Sequence, residues 1–257
     1  RAGMRPEYHI VIPARMESQR LPGKPLLDIG GRPLIEHVWR RAGQAGAQSV
    51  VIATDSTDIL RAAQAFGADA VMTTREHQSG SDRIAECADL RDWGDATLLV
   101  NLQGDEPLMP PACLDQAAGL LQENPQAEVA SLYWPIASSD EVNDPNAVKV
   151  VTGEDGFALY FSRAAIPFPR GYNDISEALS NGIAWYRHIG LYAYRVGALR
   201  AFSAMRPAHL ESVEKLEQLR FLESGRRIVM ARAIEEIPAG VDTPEDLQRV
   251  RDIIAAL

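Results

Sequence analysis

Three cations near the start of the chain are the residues best suited to binding an anion. Arg15, Arg20 and Lys24 lie within ten positions, directly after the apolar run YHIVIP at 8–13. Arginine binds phosphate oxygens at two points, and a lysine ammonium acts as a point charge on a polyphosphate. Gly23 allows close approach of the backbone, and the neighbouring prolines restrict the loop. The spacing predicts a phosphate-binding loop, with a solvated basic turn as the alternative.

Two aspartates are the candidate metal ligands. Asp105 follows the apolar run TLLVNLQ at 97–103, Asp242 follows the last apolar run at 228–233, and a glycine precedes each on its loop. Mg²⁺ in proteins usually takes one or two carboxylates and completes its shell with water and phosphate. The arrangement therefore suits two carboxylates that converge on one metal ion. Alternatively, Gly-Asp-Glu-Pro is only a turn, and Asp242 before Thr-Pro only caps a helix.

Composition and charge argue against some classes of binding partner. The chain has 257 residues, with 26 basic against 35 acidic side chains and a net charge of −9. Such a chain repels nucleic acid and anionic lipid, so a phosphate ligand needs a local basic cluster. No apolar run reaches the roughly 20 residues of a membrane span, and no signal peptide is visible. The two cysteines form no CxxC motif and predict buried thiols in a reducing cytoplasm.

The elements that must position these residues alternate along the first half of the chain. Continuous apolar runs predict strands at 8–13, 49–53, 69–73, 97–103 and 128–132. Apolar residues at helical spacing predict helices at 34–43, 57–66, 82–90 and 111–122. Buried strands separated by helices are typical of a parallel sheet covered on both faces. The basic loop would then lie at the carboxyl end of the first strand, where such sheets bind ligands.

The second half of the chain changes character. Runs at 147–152 and 157–162 flank GEDG and predict a hairpin. A strand is expected at 188–195, with His188 and Tyr192 on one face because they are four positions apart. We further expect a surface loop at 167–180, one helix at 211–223, a strand at 228–233 and a helix from Pro244. Antiparallel strands after βα units predict a mixed-sheet subregion or lid on one α/β domain.

Motifs spread along the chain resemble one family, the 3-deoxy-manno-octulosonate cytidylyltransferases, also called CMP-Kdo synthetases. In order, these motifs are PAR and SxRLPGKPL, HQSGSDR (77–83), NLQGDEP (101–107), DPNAVKVV (144–151), YFSR (160–163), RHIGLYAYR (187–195), LEQLR (216–220) and GVDTPEDL (240–247). They cover the chain from Tyr8 to its end. The sequence departs from the family with Ser18-Gln19-Arg20 where Ser-Thr-Arg is common, and in the variable loop 170–185.

The resemblance implies a fold and a reaction. The fold is a Rossmann-like nucleotidyltransferase, with a mixed, mainly parallel sheet flanked by helices and an antiparallel subregion for sugar binding and dimerisation. One domain would span 4–257, with a CTP-binding part at 4–135, a sugar-binding and dimerisation part at 136–230, and a return to the core at 231–257. Residues 1–3 are interpreted as an expression remnant. A homodimer would use Mg²⁺, CTP and Kdo to make CMP-Kdo and pyrophosphate for lipopolysaccharide biosynthesis.

The resemblance also implies residue roles. Lys24, Asp105 and Asp242 would be catalytic, the two aspartates as metal ligands. The nucleotide would contact Ala14, Arg15, Arg20, Lys24, His77, Gln78, Ser79, Arg83 and Gln103. The sugar acid would contact Arg163, His188, Tyr192, Glu217 and Gln218, with Arg163 as the partner of its carboxylate. The alternatives that involve no ligand are a helix N-terminus at 77–80, an Arg83–Glu86 ion pair, and structural roles for His188 and Tyr192.

Other functions stay open at this point. The acceptor could be the 8-amino analogue of Kdo, or the chain could be a CMP-sialic acid synthetase. An NDP-hexose pyrophosphorylase normally carries a glycine-rich GxGTR-like loop, which this sequence lacks. A catalytically silent nucleotide-binding module would usually have lost a metal carboxylate, whereas Asp105 and Asp242 are both present.

Overall fold

One nine-stranded sheet organises the chain in the computed structural model, which describes residues 5–74, 77 and 79–257. The strands are β1 (Tyr8–Ala14), β2 (Asp28–Ile29), β3 (Arg32–Pro33), β4 (Ser49–Thr54), β5 (Asp69–Met72), β6 (Leu98–Asn101), β7 (Val129–Pro135), β8 (Lys149–Thr152), β9 (Ala158–Ser162), β10 (Tyr186–Arg195) and β11 (Ile228–Arg232). Strands β2 and β3 form a separate hairpin, and the others belong to the large sheet.

Ten α-helices connect or flank these strands in the described ranges. They are α1 (Leu34–Ala42), α2 (Thr57–Ala65), α3 (Gly80–Leu90), α4 (Pro111–Glu123), α5 (Ser139–Asn143), α6 (Ile175–Ser180), α7 (Val196–Ala204), α8 (His209–Glu214), α9 (Leu219–Glu223) and α10 (Pro244–Ala255). A short 3₁₀ turn adds Lys24–Leu26. No helix of the described chain combines the length and apolar character needed to cross a lipid bilayer.

Strand order places β1 in the middle of the sheet. The order is β11-β7-β10-β6-β1-β4-β5, and β8 extends from β10 and pairs with β9. Strand β1 pairs in parallel with β4 and β6, whereas β10 runs antiparallel to both β6 and β7. The predicted mixed, mainly parallel sheet is therefore confirmed. The antiparallel strand β10 lies inside the central sheet rather than in a lid above it.

Successive apolar side chains of β1 point to opposite faces of the sheet, and helices cover both faces. Ile10 and Ile12 are buried under α1, α2, α4 and α10, whereas Val11 is buried under α3, α7 and α9. All three side chains have no exposed surface. A parallel strand with both faces buried must read as a continuous apolar run, which is the signal that the sequence carries.

Two predictions of local structure are wrong. The region 211–223 is not one helix, because α8 ends at Lys215, whose φ of 56° and ψ of 47° lie in the left-handed region. The region 167–180 is not all loop, because Asp174 caps α6 by accepting a hydrogen bond from the Glu177 amide at 2.8 Å. Both errors arise because apolar periodicity does not report a left-handed residue or a short capped helix.

A buried serine stabilises a shift of register in β10. The register between β7 and β10 shifts between Ile189 and Tyr192. There the Ser131 hydroxyl lies 2.8 Å from the Leu191 carbonyl oxygen and 2.8 Å from His188 Nε2. A carbonyl freed by a bulge must find a donor, because a buried unpaired polar group is costly. Ser131 thereby fixes the part of β10 that carries His188 and Tyr192.

We expect Ser131→Ala to lower the free energy of unfolding by about 1–3 kcal/mol, since buried groups lose their partner. Urea denaturation measures the change. Ser176→Ala on exposed α6 is the matched control and should stay within about 0.5 kcal/mol of the parent. Equal effects of the two substitutions would contradict the role assigned to Ser131.

Candidate functional site

A cavity of about 450 Å³ opens at the carboxyl ends of β1 and β6. Every predicted nucleotide-binding and metal-binding residue that the structure describes lines it, namely Ala14, Arg15, Arg20, Lys24, His77, Ser79, Arg83, Gln103, Asp105 and Asp242. Gln78 lies outside the described residues. The position agrees with the rule that open α/β sheets bind ligands beyond the carboxyl ends of their strands. The structure thus brings together residues that are far apart in sequence.

Backbone contacts shape the basic loop after β1. Gly23 has a φ of 66°, and its amide donates to the Met16 carbonyl at 3.3 Å. The 3₁₀ turn that follows begins at Lys24. A left-handed residue here reverses the chain at little cost because glycine has no Cβ. The turn leaves the side chain of Lys24 only 16% exposed and directed at the aspartates.

The Lys24 ammonium joins the two predicted metal ligands. Its Nζ lies 2.9 Å from Asp105 Oδ2, 3.3 Å from Asp242 Oδ1 and 2.9 Å from the Val241 carbonyl oxygen. The Arg20 guanidinium is 3.8 Å from the same Asp242 oxygen. Two carboxylates that share one ammonium must point at a common position. The ammonium therefore marks where a cation is stable between them.

This arrangement fits a magnesium ion. Two converging carboxylates, with room in an open cavity for water and phosphate ligands, match the usual protein contribution to a Mg²⁺ site. Within residues 5–74, 77 and 79–257, no group of three or more His, Cys, Asp or Glu side chains forms a cage for a metal. The donor set is thus carboxylate oxygen alone, which suits a hard cation better than zinc.

Glycines bring the two aspartate loops into backbone contact. The Val241 amide donates to the Asp105 carbonyl at 2.8 Å. A Cβ on Gly240 would lie 2.8 Å from that carbonyl oxygen, and one on Gly104 would lie 2.9 Å from the carbonyl of Pro13. A side chain at Gly240 would push the two aspartate loops apart, and one at Gly104 would push the Asp105 loop away from β1. The separation of the aspartates is therefore set by main-chain packing.

Glu106 adds a third carboxyl group that the sequence did not assign to the site. Burial, followed by repulsion from Asp105 and Asp242, raises its pKa to about 8, although Lys24 and Arg249 act in the opposite direction. Its carboxyl group packs against Gly240. Near pH 7 Glu106 is therefore mostly protonated, and Lys24 compensates the two aspartates rather than three carboxylates.

The region around α3 combines two roles that the sequence offered as alternatives. Ser79 caps α3 by accepting from the Asp82 amide at 3.2 Å, and it also lines the cavity. Arg83 is 5% exposed and donates to Asp55 at 3.2 Å and to the Thr74 carbonyl at 3.3 Å. The alternative pairing of Arg83 with Glu86 is wrong, because Glu86 is bonded to His77 and to the Thr74 amide.

A second cavity of about 650 Å³ adjoins the first. The two share His77 and Ser79, and the second is also lined by Asp82, Ser203, Glu211, Lys215, Glu217 and Arg220. Glu217 is the one predicted sugar-binding residue that lines this cavity. Its Oε1 is buried and has no hydrogen-bond partner among the described residues. This buried oxygen can still accept a hydrogen bond, and a ligand hydroxyl can donate it.

Three further predicted sugar-binding residues form a partly buried cluster. His188 and Tyr192 lie on one face, as predicted, with ring centroids 5.3 Å apart. Gln218 Nε2 is 3.4 Å from His188 Nδ1. Burial lowers the pKa of His188 to about 3, and burial, Tyr194 and Glu217 raise the pKa of Tyr192. His188 and Tyr192 are therefore both neutral near pH 7.

Arg163 does not line either cavity. Its guanidinium donates to three backbone carbonyls, those of Pro145 at 2.9 Å, Glu214 at 2.6 Å and Lys215 at 3.2 Å. The predicted contact with a sugar carboxylate stays a prediction, and this arrangement does not favour it.

Sequence reasoning missed Asn101. Its side-chain Oδ1 is buried without a partner in the described chain, and the residue lies opposite Tyr192 in the β6–β10 register. The signal was present as a single amide inside an otherwise apolar strand run. Such an amide is expensive to bury unless something bonds to it.

Fold and site together define an α/β protein whose open cavity is lined by a basic loop and a converging pair of aspartates. The cytidylyltransferase family model matches residues 9–228, and the chain belongs to that family, within it to the 3-deoxy-manno-octulosonate cytidylyltransferases. The enzyme of that name from Thioalkalivibrio sulfidiphilus is 50% identical over 97% of this chain and 99% of its own. That from Hahella chejuensis is 49% identical over 96% and 98%.

A solved structure is similar to this chain over nearly its whole length. It is a CMP:2-keto-3-deoxy-manno-octonic acid synthetase complexed with CTP. The sequence identity is 40% and the TM-score 0.88, with 98% of this chain and 99% of the other covered. The predicted fold class is confirmed.

Replacing Lys24 tests the charge balance of the first cavity. We expect Lys24→Met to lower the melting temperature in EDTA by several degrees, because hydrogen bonds to charged groups contribute about 1.5–3 kcal/mol. Mg²⁺ should raise the melting temperature of this variant more than that of the parent protein. Arg15→Met removes an exposed cation of the same loop and serves as control. An equal Mg²⁺ response in all three proteins would contradict the shared cation position.

Burial of His188 predicts a pH dependence of stability. The folded state holds the imidazole neutral down to about pH 3, whereas the unfolded state protonates it near its ordinary pKa of 6.5. Its contribution is therefore complete above pH 6.5 and is lost as the pH falls towards 3. In urea titrations from pH 7 to 5, His188→Gln should lose less stability than the parent protein. His209→Gln, at an exposed histidine, should parallel the parent, and a His188→Gln curve that also did so would rule out the effect.

Proposed function

We propose that this protein transfers CMP from CTP to the anomeric hydroxyl of Kdo, giving CMP-Kdo and pyrophosphate for lipopolysaccharide biosynthesis. The observation that carries the proposal is the first cavity, in which a basic loop faces two converging carboxylates. Relatives about 50% identical over nearly the whole chain carry the corresponding enzyme name.

CTP is proposed to occupy the first cavity. Arg15, Arg20 and Lys24 would bind the triphosphate, since they are the cations of the loop that lines it. The nucleoside would lie against Ala14 at the end of β1, the segment of His77, Gln78 and Ser79 before α3, Arg83 on α3, and Gln103 after β6. Because Arg83 is anchored by Asp55 and Thr74, it contributes a fixed surface more than a mobile donor.

Asp105 and Asp242 are proposed to hold Mg²⁺. When bound, the ion supplies charge neutralisation at the phosphate oxygens. The contribution of the chain is to keep the two carboxylates pointed at one position through the Gly104 and Gly240 loops. Lys24 would then be available for the triphosphate, because its partners in this structure are the same two carboxylates.

The sugar acid is proposed to bind beside the nucleotide, towards the second cavity. Glu217, Gln218, His188 and Tyr192 offer donors and acceptors for its hydroxyl groups, and the cavities meet at Ser79 and His77. The Kdo hydroxyl would attack the α-phosphorus in line while charge grows on the departing pyrophosphate. Little covalent work is asked of the protein, so positioning and electrostatic stabilisation account for the rate.

Homodimerisation and a cytoplasmic location complete the proposal. The predicted dimerisation region, 136–230, exposes large apolar side chains, with Leu159 at 65%, Phe168 at 83% and Val213 at 66% exposure. In the proposed homodimer, the partner would cover at least some of these side chains. Both cysteines, Cys87 and Cys113, are buried free thiols, which suits a reducing compartment.

Pyrophosphate release with CTP, Mg²⁺ and Kdo tests the reaction, and 8-amino-Kdo, sialic acid and a hexose 1-phosphate test the choice of acceptor. We expect Asp105→Asn to lower turnover by roughly 100-fold or more, because electrostatic stabilisation of the leaving group is lost. CTP affinity should change much less. Asp140→Asn, on exposed α5, controls for charge alone. Normal turnover of Asp105→Asn at limiting Mg²⁺ would remove Asp105 from the metal site.

A further inference from the structure

The contacts of Arg163 link two turns that are distant in sequence. Its guanidinium donates to the carbonyls of Glu214 and Lys215 on one side and of Pro145 on the other. The turn at 144–147 is held a second time, because the buried Lys149 ammonium donates to the Asp144 carbonyl at 2.9 Å. Three of the five N–H groups of the guanidinium are thus used by main-chain carbonyls. An arginine bonded in this way stabilises the backbone conformation of the two turns that it contacts.

The turn that Arg163 holds is a strained one. Lys215 has a φ of 56°, a conformation that side chains other than glycine adopt at a cost. The two carbonyls bound by Arg163 belong to Lys215 and to the residue before it, so they flank the strained backbone on both sides. Strain of this kind persists only where the surroundings over-determine the conformation.

The carboxylate of Glu214 adds a second set of bonds to the same turn. It accepts from the Ser162 hydroxyl at 2.7 Å and from the Arg163 amide at 2.9 Å. Burial works against the charged form, but these hydrogen bonds, with that from Tyr160 and the charge of Arg163, keep the pKa of Glu214 below its ordinary value. The end of β9 and the end of α8 are therefore joined through both main chain and side chains.

The strained turn decides where the next residues lie. It ends α8, buries Leu216, and is followed by Glu217 in the second cavity and Gln218 beside His188. Had 211–223 continued as one helix, residues 214, 217 and 218 would share one helical face. Instead Glu214 faces β9, whereas Gln218 faces β10.

We infer that Arg163 is a positioning residue, which holds the left-handed turn at Lys215 and thereby places Glu217 and Gln218 for the sugar acid. The inference rests on the proposed function, since it concerns the same sugar site. It differs from the sequence-based expectation that Arg163 binds the sugar carboxylate itself. In the arrangement found here, the guanidinium acts on the residues that would contact the sugar.

Lys215→Gly provides the test, because glycine adopts the left-handed conformation without the Cβ penalty. We expect Arg163→Ala to raise the KM for Kdo by about tenfold or more while leaving the KM for CTP nearly unchanged. The double variant Arg163→Ala/Lys215→Gly should recover about fivefold or more of that loss, as the turn no longer needs an external support. Arg163→Lys should retain only part of the positioning function, since one ammonium cannot replace the planar guanidinium fork.

Arg195→Ala is the matched control. Arg195 also donates to two backbone carbonyls, those of Ala127 and Leu121 at 3.0 Å each, but at the other end of β10 from Tyr186. Its removal should lower stability without changing the KM for Kdo. If the double variant is no better than Arg163→Ala, or if Arg163→Ala leaves the KM for Kdo unchanged, the positioning role is wrong.

Amide hydrogen exchange separates this inference from the proposed reaction. In Arg163→Ala, the amides of 214–218 should exchange faster, and Lys215→Gly should restore part of their protection. This readout needs no turnover, so it holds even if the parent protein failed to use CTP and Kdo, in which case only the proposed reaction would fail. Unchanged exchange at 214–218 in Arg163→Ala would overturn the positioning role whatever the activity.

Discussion

An ammonium group between two carboxylates is the interaction on which the site depends. Lys24 follows β1, Asp105 follows β6, and Asp242 follows the last strand, so the contacts span 81 and 218 positions of sequence. Carboxylates that converge in a partly buried place repel each other unless a cation compensates them. Burial and their repulsion also raise the pKa of the neighbouring Glu106, which avoids a third negative charge by keeping its proton near pH 7. Three loops can meet in this way only if β1 and β6 are neighbours with their carboxyl ends at the same edge.

The sheet satisfies this requirement by a long return path. Strand β11 is the far edge of the sheet, separated from β6 by β7 and β10. Residues after β11 must therefore pass the carboxyl end of β7 and the amino end of the antiparallel β10 to bring Asp242 to Lys24. Ile237 and Val241 are buried in the core along that path, and the Val241 amide bonds to the Asp105 carbonyl. Apolar burial thus stabilises the approach of like charges that electrostatics alone would oppose.

The sequence predicted the first cavity well because its signals are local. A buried parallel strand followed by clustered cations or by Gly-Asp appears within a dozen residues, and parallel strands share an edge. The second cavity depends on features that no short window contains. A left-handed Lys215 inside an apolar period of 3.6 residues cannot be recognised without the carbonyl partners that Arg163 provides from β9. The buried Asn101 amide and the Glu106 environment likewise arise from tertiary contacts.

The two cavities also differ in what a ligand must do on arrival. In the first cavity Lys24 already compensates the charges of Asp105 and Asp242. If, as we propose, a metal ion binds these carboxylates and CTP binds the basic loop, the two binding events would be thermodynamically linked through Lys24. The second cavity is lined by Glu217, whose buried Oε1 has no partner among the described residues, whereas the neutral His188 and Tyr192 lie in the separate cluster with Gln218. In the second cavity a ligand gains by supplying a donor to an acceptor that the fold has desolvated without pairing, which favours a molecule rich in hydroxyl groups over a simple anion.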